Sequence, residues 1–430
     1  MEPGGARLAL AGLLLAVLMG AAPAQPSPPS PAPVLGFNML AGDPIDLGTG
    51  LYVRSHDDIV QSGEPAIRFT RTYRNRDARS RAFGIGATHS YDLFLVGDGA
   101  AFSAIDLIRD DGGRIRFART SPGTGLADAV LEHTSTPTEF YRAVLRWNGQ
   151  GWSMDLRDGS RYRFLGCSGD VRPGQCGMIE YKDASGRMLS IVRDAVGNLV
   201  TVTNADGYHL VFTHDRHHRI IRARTGAGRV MTLVDYTYDP AGRLSRVRSY
   251  RADVMQTGLD AMRWLFGGVP GAQSGWSSET SEYTYDDSHQ LVTIREPGLF
   301  IVNEYDSGGR TVRQTINDNL LYRFAYQVDD RRRIREAEVT EPEGDRYRVT
   351  FDSEGIPTSK VYDPGTPRET QIVYEREPGT NRPVAMSLRC GVADGSSATR
   401  VTLDSRESRE LVEARLWQSC GLAGTPVPGR

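Results

Sequence analysis

The sequence predicts an all-β protein, an array of antiparallel hairpins that forms a large curved or partly closed β-shell. Three observations lead to this prediction. Apolar and polar residues alternate along short segments, a tyrosine–aspartate unit recurs at a step near 20 residues, and turn-forming Gly, Asp and Pro separate the segments. A period near 20 residues is too short for a pair of helices and is typical of repeat architectures.

The clearest single strand runs from Ile67 to Arg74. Ile67, Phe69 and Tyr73 share one face of an extended chain, while threonine and arginine occupy most of the other. This alternation predicts a half-buried strand. Arg71 is the one charged residue on the apolar face, and the pattern leaves it unexplained.

The repeat unit reads most clearly at residues 238–244, Tyr-Asp-Pro-Ala-Gly-Arg-Leu. It returns at 305–311 and, with one inserted residue, at 181–188. The aspartate is expected to cap a turn through its own backbone, and the glycine to supply a positive φ. A hairpin alone is marginal in water, so we expect neighbouring hairpins to stack and share a buried aromatic face. The anchors of these units are Tyr181, Tyr238, Asp239, Tyr285, Asp286, Tyr305, Asp306, Tyr362 and Asp363.

The N-terminus predicts export. Arg7 precedes an apolar run at residues 8–20, and Ala22 and Ala24 then form an A-x-A pattern. This combination is typical of a secretory signal peptide, cleaved after Ala24. The run is too short to cross a bilayer, so we expect no membrane span after signal removal. The expected location is periplasmic, cell-surface or extracellular.

Composition shifts divide the remaining chain. The predicted segments are a Pro-rich linker at 25–40, an N-terminal module at 41–165 with its core motifs in 42–96, a repeat region at 166–365, and a non-repeat tail at 366–430. An insertion at 251–280 interrupts the repeats. Within it, apolar residues recur at helical spacing between Asp253 and Phe266, which predicts a short amphipathic helix.

The charge balance limits the expected partners. The chain has 51 basic and 53 acidic residues, a net charge of −2, and so no long-range attraction to nucleic acid. Lys182 and Lys360 are the only lysines, which makes nearly all the positive charge arginine. A GC-rich genome explains this bias; the functional alternative is forked guanidinium contacts to carboxylates or sugars.

Four cysteines in an exported chain predict disulfides. Cys167 and Cys176 flank a segment rich in Gly, Ser, Asp and Pro, which favours a bridge between them and leaves Cys390 to pair with Cys420. This pairing is one of three possible connectivities. No C-x-x-C spacing supports a zinc site.

The sequence lacks the motifs of common catalytic and cofactor sites. It has no P-loop, no dinucleotide fingerprint, no nucleophile elbow and no H-E-x-x-H helix. We therefore expect no catalytic, cofactor-binding or metal-ligating residues, and no enzyme. His89 could serve as a base oriented by Asp92, but a structural hydrogen bond is the simpler interpretation. Among the clustered histidines 209, 214, 217 and 218, His209 and His214 with His217 could converge on a metal, although His217 and His218 fit an exposed turn.

Aromatic and arginine residues raise a carbohydrate hypothesis. Exposed rings stack on sugar faces, and arginine binds sugar hydroxyls and carboxylates. The alternative is that the repeat tyrosines fill the interior of the shell, because aromatic residues at period two normally mark a core face. The tryptophan candidates are Trp147, Trp152, Trp264, Trp276 and Trp417.

Three motifs resemble a known family. Residues 42–50, G-D-P-I-D-L-G-T-G, resemble the opening of the DUF6531-like N-terminal module of bacterial Rhs proteins. Residues 65–73 and 83–92 are similar to the next strand and turn of that module, with Ala87 where the family has tryptophan. The Y-D-x-x-G-R-L units look like its YD repeats. Together these similarities cover roughly residues 40 to 365.

The resemblance implies a hollow shell of β-strands that holds a toxin, or a cell-surface array that contacts carbohydrate. Complete Rhs proteins continue into a D-P-x-G-L motif and a variable toxin, and this sequence has no D-P-x-G-L. We therefore expect a secreted, non-enzymatic scaffold of a cell-envelope or polymorphic-toxin system without its own toxin. Its expected partners are cell-surface carbohydrate or another Rhs-system protein. The alternatives are a carbohydrate-binding module and a carrier of a small effector in residues 366–430.

Overall fold

A computed structural model describes residues 39–75, 79–97, 102–110, 113–135, 138–166, 175–225, 230–253, 277–378, 383–390 and 399–402. Over these ranges the chain forms 32 strands and no helix. Accordingly, none of the described residues belongs to a helix long and apolar enough to cross a membrane. The predicted fold class, an all-β array of antiparallel hairpins in a large, partly closed sheet, is confirmed.

The N-terminal residues form a separate sheet, which we call the N-terminal sheet. Its strands, in the order in which they pair, are β1 (Leu40–Ala41), β2 (Ile45–Asp46), β3 (Leu51–Gln61), β4 (Ile67–Arg74) and β7 (Ala87–His89). A small hairpin lies beside it, made of β5 (Ser80–Arg81) and β6 (Gly84–Ile85). The predicted strand at 67–74 is β4, and its apolar residues Ile67, Phe69 and Tyr73 are buried.

The next eight strands close on themselves, and we call them the closed ring. They are β8 (Phe94–Gly97), β9 (Ala104–Ile108), β10 (Arg114–Arg119), β11 (Val130–Glu132), β12 (Val144–Trp147), β13 (Gly151–Asp155), β14 (Arg161–Leu165) and β15 (Gln175–Lys182). Each pairs with the next, and β15 returns to β8 with Cys176 opposite Leu95. Alternation explains the strands: in β10, Ile115 and Phe117 are buried, and Arg114 and Arg116, which alternate with them, are exposed.

From β15 the sheet continues as a long ladder, which we call the repeat wall. Each strand pairs with its predecessor. Its strands are β16 (Met188–Arg193), β17 (Leu199–Asn204), β18 (His209–His214), β19 (Ile220–Thr225), β20 (Val230–Tyr238), β21 (Leu244–Asp253), β22 (Ser277–Tyr285), β23 (Leu291–Glu296), β24 (Leu299–Tyr305), β25 (Thr311–Ile316), β26 (Leu320–Val328), β27 (Ile334–Thr340), β28 (Arg346–Phe351), β29 (Pro357–Tyr362), β30 (Thr370–Arg376), β31 (Pro383–Cys390) and β32 (Thr399–Thr402).

The N-terminal sheet packs on one face of the repeat wall. The ring of Phe69 lies 4.8 Å from that of Phe212 on β18, and the ring of Phe83 lies 4.7 Å from that of Tyr236 on β20. These residues belong to one continuous buried core with the apolar residues of the closed ring. Because strand side chains alternate, the residues between them face away from the N-terminal sheet. We call the two faces of the repeat wall inner and outer.

Arg193 stabilises the junction at which the repeat wall branches from the closed ring. Along the same side, β15 pairs first with β8 and then with β16. Arg193, at the end of β16, donates to the carbonyl oxygens of Met178 (2.9 Å), Gly197 (3.2 Å) and Tyr91 (2.6 Å). These contacts satisfy carbonyl groups that a branching ladder leaves without strand partners.

Two predicted segments fare differently. Of the predicted insertion at 251–280, residues 254–276, with nearly all of its helix, lie outside the described residues. Its two ends, 251–253 and 277–280, are not part of an insertion but belong to β21 and β22, which pair directly. The predicted non-repeat tail continues the same ladder through β30, β31 and β32. Main-chain hydrogen bonds build a ladder, so strands can be added where the tyrosine–aspartate motif has ended.

Candidate functional site

A row of aspartate-led turns follows one edge of the repeat wall. In each turn the aspartate N–H donates to the carbonyl oxygen four residues later, and its carboxylate accepts from the N–H of that same residue at 2.8–3.0 Å. The carboxylate thus supplies an acceptor for a main-chain N–H of the turn, which is why aspartate begins the turn. The turns begin at Asp194, Asp215, Asp239, Asp286, Asp306, Asp329 and Asp352.

In several units a tyrosine fastens its hairpin to the preceding one. The Tyr238 hydroxyl donates to the carbonyl oxygen of Ile220 (2.5 Å), and the Tyr285 hydroxyl to that of Leu244 (2.8 Å). Tyr305 and Tyr326 make the same bond to the wall residue that follows the previous turn. The repeated tyrosine therefore links its hairpin to the preceding one by a hydrogen bond, in addition to filling the interior.

The repeated arginine completes this fastening. Arg243 donates to the Asp239 carboxylate of its own turn at 2.6 Å, while its guanidinium lies 5.1 Å from the ring centre of Tyr285 in the next unit. Arg219 stands in the same relation to Tyr238, at 4.2 Å. A cation over an aromatic face is attracted by the ring quadrupole. The Y-D-x-x-G-R-L motif is thus a clasp between successive hairpins.

The predicted anchors divide between the two edges of the wall. The turns of Asp239, Asp286 and Asp306 lie on the edge described above, whereas Tyr181 and Tyr362–Asp363 precede turns of the opposite edge. The rings of Tyr181 and Tyr162 lie 4.9 Å apart, and those of Tyr362 and Tyr347 lie 6.0 Å apart. Sequence reasoning missed the turns at Asp194 and Asp329, because Arg193 and Val328 replace the tyrosine there. It identified the Asp215 turn only through His217 and His218, because His214 replaces the tyrosine. A search for Asp followed four residues later by Arg or Asn would have found them.

Three turns carry a side chain where the others carry glycine. The fourth residue of these turns has φ between +60° and +63° at Arg332, His218 and His289, and between +73° and +89° at glycines such as Gly309 and Gly197. A non-glycine residue in this left-handed region is strained by roughly 1–2 kcal/mol.

Arg332→Gly is accordingly expected to raise the free energy of unfolding by about 1 kcal/mol. Arg332 is exposed, so the substitution removes strain without opening a cavity. Arg331→Gly removes the same charge one residue earlier, at a position outside the left-handed region, and should lower stability by about 0.5–1 kcal/mol. Urea unfolding of both variants measures the difference; equal effects would refute the strain at Arg332.

A buried charge pair joins the N-terminal sheet to the wall. Arg71, the misfit of the sequence pattern, donates to both carboxylate oxygens of Asp58 at 3.0 Å. The same carboxylate accepts from the hydroxyl of Tyr236 on β20 (2.8 Å) and contacts Nδ1 of His56 (3.0 Å). Arg71 also donates to the hydroxyl of Tyr283 on β22 at 3.2 Å. Two strands of the sheet and two of the wall thus share one carboxylate and one guanidinium.

The polar contacts continue along the interface. The Tyr283 hydroxyl donates to Glu296 (3.0 Å), and Arg54 bridges Glu296 (2.6 Å) to Asp43 (2.7 Å). The N–H of Asp43 then donates to the side-chain oxygen of Gln314 at 2.6 Å. We call this connected set the polar seam. Its members are Asp43, Arg54, His56, Asp58, Arg71, Tyr236, Tyr283, Glu296 and Gln314.

Electrostatics in the polar seam hold two carboxylates ionised. Burial by itself raises the pKa of Asp58, but the charge and hydrogen bonds of Arg71 outweigh burial and keep this pKa below its ordinary value. Burial and Arg54 act in the same opposed way on Glu296, whose pKa is also lowered. At Asp43 burial prevails over Arg54 and raises the pKa. The carboxylates of Asp58 and Glu296, whose pKa values are lowered, are therefore held in ion pairs with arginine. Both oxygens of Asp58 are occupied by partners within the chain.

A small cavity of about 370 Å³ opens beside the polar seam, where Asp43, Asp46, Arg54 and Arg74 line it. The Asp46 carboxylate accepts from the N–H of Gly48 (3.0 Å) and from the Thr49 hydroxyl (2.8 Å). Burial raises the pKa of Asp46 despite these bonds. The lining therefore carries both signs of charge. Its carboxylates are hydrogen-bonded to residues of the N-terminal sheet and the turn before β3.

The surroundings of the histidines bear on two hypotheses, a metal site at the histidine cluster and a catalytic base at His89. His217 and His218 lie in the Asp215 turn, where Nδ1 of His218 is 3.1 Å from the side-chain nitrogen of Asn198. In the part of the chain that the structure describes, no group of three or more His, Cys, Asp or Glu side chains is placed to hold a metal. His89 is buried and accepts from the N–H of Tyr91 (3.1 Å), whereas Asp92 accepts from the Thr88 hydroxyl (2.6 Å).

Two tryptophan candidates lie in the closed ring. Trp147 and Trp152 are opposite each other on β12 and β13, with ring centres 5.5 Å apart, and Trp152 is fully buried. Burial of this kind does not provide a sugar-stacking platform. Trp264, Trp276 and Trp417 lie outside the described residues, as does the predicted cleavage site at Ala24.

Two of the cysteines are disulfide-bonded in the structure, Cys176 and Cys390. Cys176 lies on β15 where the ring closes, and Cys390 ends β31. Cys167 and Cys420 fall outside the described residues, so the connectivity of the four stays a prediction.

Two family models match parts of this chain. The one described as "Domain of unknown function (DUF6531)" covers residues 42–117, the N-terminal sheet and the start of the ring. The one described as "RHS Repeat" covers residues 193–230, with the turns of Asp194 and Asp215. These matches, with the clasped tyrosine–aspartate hairpins, define a YD-repeat protein. More particularly, the chain belongs to the Rhs proteins with the DUF6531 N-terminal module.

The similar proteins that follow are considerably longer than this chain, which spans 18–26% of their length. "Probable deoxyribonuclease RhsB" of Dickeya dadantii (strain 3937) is 24% identical over 291 residues, which make up 67% of this chain and 18% of that protein. The solved "Photorhabdus luminescens Tc holotoxin pore, Mutation TccC3-D651A" is 9% identical with a TM-score of 0.23, covering 84% of this chain and 26% of the other. "TcdB2-TccC3" is 12% identical with a TM-score of 0.16, covering 85% and 23%.

Proposed function

We propose that this chain is an exported, non-enzymatic scaffold of the Rhs type that acts in a cell-envelope or polymorphic-toxin system. The observation that carries the proposal is the polar seam, with the clasps beside it. In a catalytic site, carboxylates and hydroxyls are left able to meet a substrate. Here the buried carboxylate of Asp58 spends both oxygens on Arg71, Tyr236 and His56.

Main-chain contacts support the same role. The N–H of Thr311 donates to the carbonyl oxygen of Gly50 (2.8 Å), which precedes β3, and the N–H of Ile220 donates to that of Ala82 (2.8 Å) in the β5–β6 hairpin. The N-terminal sheet and the hairpin beside it thus share main-chain hydrogen bonds with widely separated strands of the wall. Side chains add further links: Asn75 donates to the carbonyl oxygen of Gly309 at 2.9 Å. Such contacts stabilise a rigid body and leave little freedom for the closure motions that many enzymes need.

Export rests on two features of the chain. The N-terminal residues have the pattern of a signal peptide with cleavage after Ala24, and disulfides persist in oxidising compartments. Cys176 and Cys390 are disulfide-bonded, which fits the bridges Cys167–Cys176 and Cys390–Cys420. Both bridges would form only after export.

The proposal is tested on protein recovered from the periplasm of a Gram-negative host that expresses the full chain. We expect intact mass to show a mature N-terminus at Gln25 and two disulfides. Because a relative is named a probable deoxyribonuclease, the same sample is incubated with supercoiled plasmid and Mg²⁺, and no nicking above the buffer control is expected. Retention of residues 1–24 would contradict export; nicking that co-purifies with the protein and persists after a second chromatographic step would contradict the non-enzymatic role.

A further inference from the structure

The last strands of the repeat wall carry an apolar cluster of their own, which we call the terminal cluster. Its members, Ile372 on β30 with Met386 and Leu388 on β31, are fully buried and separate from the core that the N-terminal sheet shares with the wall. Val349 of that shared core is opposite Lys360, and Lys360 is opposite Ile372. Because opposite residues share a face, the terminal cluster lies on the inner face.

The described neighbours of the terminal cluster belong to the wall itself. The partly buried residues packed against it come from β29 to β32 and are Tyr362, Tyr374, Cys390 and Val401. A single layer of strands shields an apolar side chain from its sides but must bury that face against another element. Side chains that are at most 1% exposed therefore need a further apolar partner, from outside the described residues.

A disulfide at the end of β31 joins this part of the wall to a second segment. Cys390 is disulfide-bonded and packs against the terminal cluster. Its predicted partner, Cys420, belongs to the tail that follows β32, and residues 403–419 separate it from the end of that strand. A bridge between the two cysteines would hold the tail beside the terminal cluster.

Strand register defines the path that the tail has to take. Thr402 is opposite Ala385 near the start of β31, whereas Cys390 is the last residue of that strand. The tail must therefore run back along β31 to bring Cys420 to Cys390, a distance of roughly 17 Å at about 3.3 Å per residue. Residues 403–419 are long enough for this return. Met386 and Leu388 lie along it.

The middle of the tail supplies apolar side chains for this path. Residues 411–417 read Leu-Val-Glu-Ala-Arg-Leu-Trp, so that large apolar residues stand on both sides of two charged ones. Gly and Pro are frequent only later, in residues 421–430. The apolar stretch thus falls between Thr402 and Cys420, where the return along β31 passes the terminal cluster.

We propose that residues 403–420 dock on the inner face of β30 and β31, held by a Cys390–Cys420 bridge, and cover the terminal cluster with Leu411, Val412, Leu416 and Trp417. The docked tail keeps the scaffold monomeric, because an apolar patch left open to water associates with a second copy. The inference deepens the proposed function and rests on it for the disulfide, which forms in an oxidising compartment.

The first test removes the tail without leaving a lone cysteine. One variant of the mature protein ends at Thr402 and carries Cys390→Ser. Its matched control keeps the whole tail and carries Cys390→Ser with Cys420→Ser. We expect the shortened chain to self-associate, measured by light scattering, at concentrations where the control stays monomeric. Amide hydrogen exchange at Met386 and Leu388 should be about tenfold faster in the shortened chain.

A second pair of variants tests the apolar side chains with the tail in place. Val412→Ser with Leu416→Ser removes contacts to the terminal cluster. Glu413→Gln with Arg415→Gln alters the charged residues between them, and both pairs leave the net charge unchanged. We expect self-association and faster exchange on β31 in the first pair, and wild-type behaviour in the second.

Peptide mapping of the exported wild type without reduction should recover Cys390 joined to Cys420. Cys390 joined to another cysteine, a shortened chain that stays monomeric with unchanged exchange, or equal behaviour of the two double variants would each overturn the proposal. So would self-association on deletion of residues 25–38 instead of the tail, which would assign the cover to the N-terminal linker. Because the exchange experiment uses chains without the bridge, a failure of export is distinguishable from a failure of docking.

Discussion

Asp58→Ala is expected to lower the free energy of unfolding by about 3–5 kcal/mol, because the substitution leaves the guanidinium of Arg71 buried without its counter-charge. Asp58 and Arg71 are both buried, and their paired hydrogen bonds at 3.0 Å have no replacement within the seam. The change also removes the acceptor of the Tyr236 hydroxyl on β20. Urea unfolding followed by tryptophan fluorescence measures the loss.

An exposed pair on the outer face provides the matched control. Glu304→Ala removes the partner of Arg313, whose side chain is 47% exposed, and should cost less than about 1 kcal/mol. Similar losses in the two variants would show that burial does not strengthen the Asp58 pair, and would remove the physical basis that we give for the seam.

The same residue predicts a pH dependence. The pKa of Asp58 is lowered in the folded chain, so the folded state binds its proton less readily than the unfolded state does. Its contribution is therefore present above the ordinary aspartate pKa of about 4 and is lost as pH falls through the folded value. Asp58→Asn cannot titrate, and its stability should fall less steeply than that of wild type below about pH 4. A parallel decline would contradict the lowered pKa.

Gly84→Ala is expected to lower the free energy of unfolding by roughly 2–5 kcal/mol. A Cβ at this position would lie 2.1 Å from the carbonyl oxygen of Gly242, which belongs to the main chain of the Asp239 turn. Gly84 also has φ +80°, a conformation that costs alanine about 1–2 kcal/mol before any clash is counted. Overpacking adds about 1–3 kcal/mol. The substitution should loosen the hairpin of β5 and β6 where it bridges to Arg243.

Gly355→Ala separates the two causes. Gly355 has nearly the same φ, +82°, and open space where the Cβ would stand, so only the conformational cost of about 1–2 kcal/mol applies. Hydrogen exchange should show faster opening at Ile85 in Gly84→Ala and unchanged exchange there in Gly355→Ala. Equal stability losses would mean that Gly84 serves backbone conformation alone and that its close contact with Gly242 is unimportant.

Local signals in the sequence were sufficient for the strands and turns. Alternation at 67–74 predicted β4, and the tyrosine–aspartate pattern predicted the turns that begin at Asp239, Asp286 and Asp306. Each of these signals acts within a few residues. The turns at Asp194, Asp215 and Asp329 have the same backbone hydrogen bonds but lack the tyrosine, so the motif as we wrote it was too narrow.

The seam was beyond a reading of the sequence. Arg71 was conspicuous as a charge on an apolar face, but no local sequence pattern predicted that Asp58 would be its partner. Their contact depends on the β3–β4 register and on the irregularity between Asp57 and Ile59 in that pairing. Tyr236 and Tyr283 come from positions 178 and 212 residues away from their seam partners. The sequence pattern does not specify which wall strands the N-terminal sheet covers.

The sequence by itself determined the elements of this protein: period-two strands, aspartate turns and the tyrosine–arginine units that clasp adjacent hairpins. Those features are local, because a strand face, a turn and a neighbouring hairpin are set by residues close along the chain. Only the tertiary structure decided that β15 closes onto β8 and that Arg71 pairs with Asp58 at the seam. These depend on register between distant strands, where the energy of a contact is gained only after a long loop has closed.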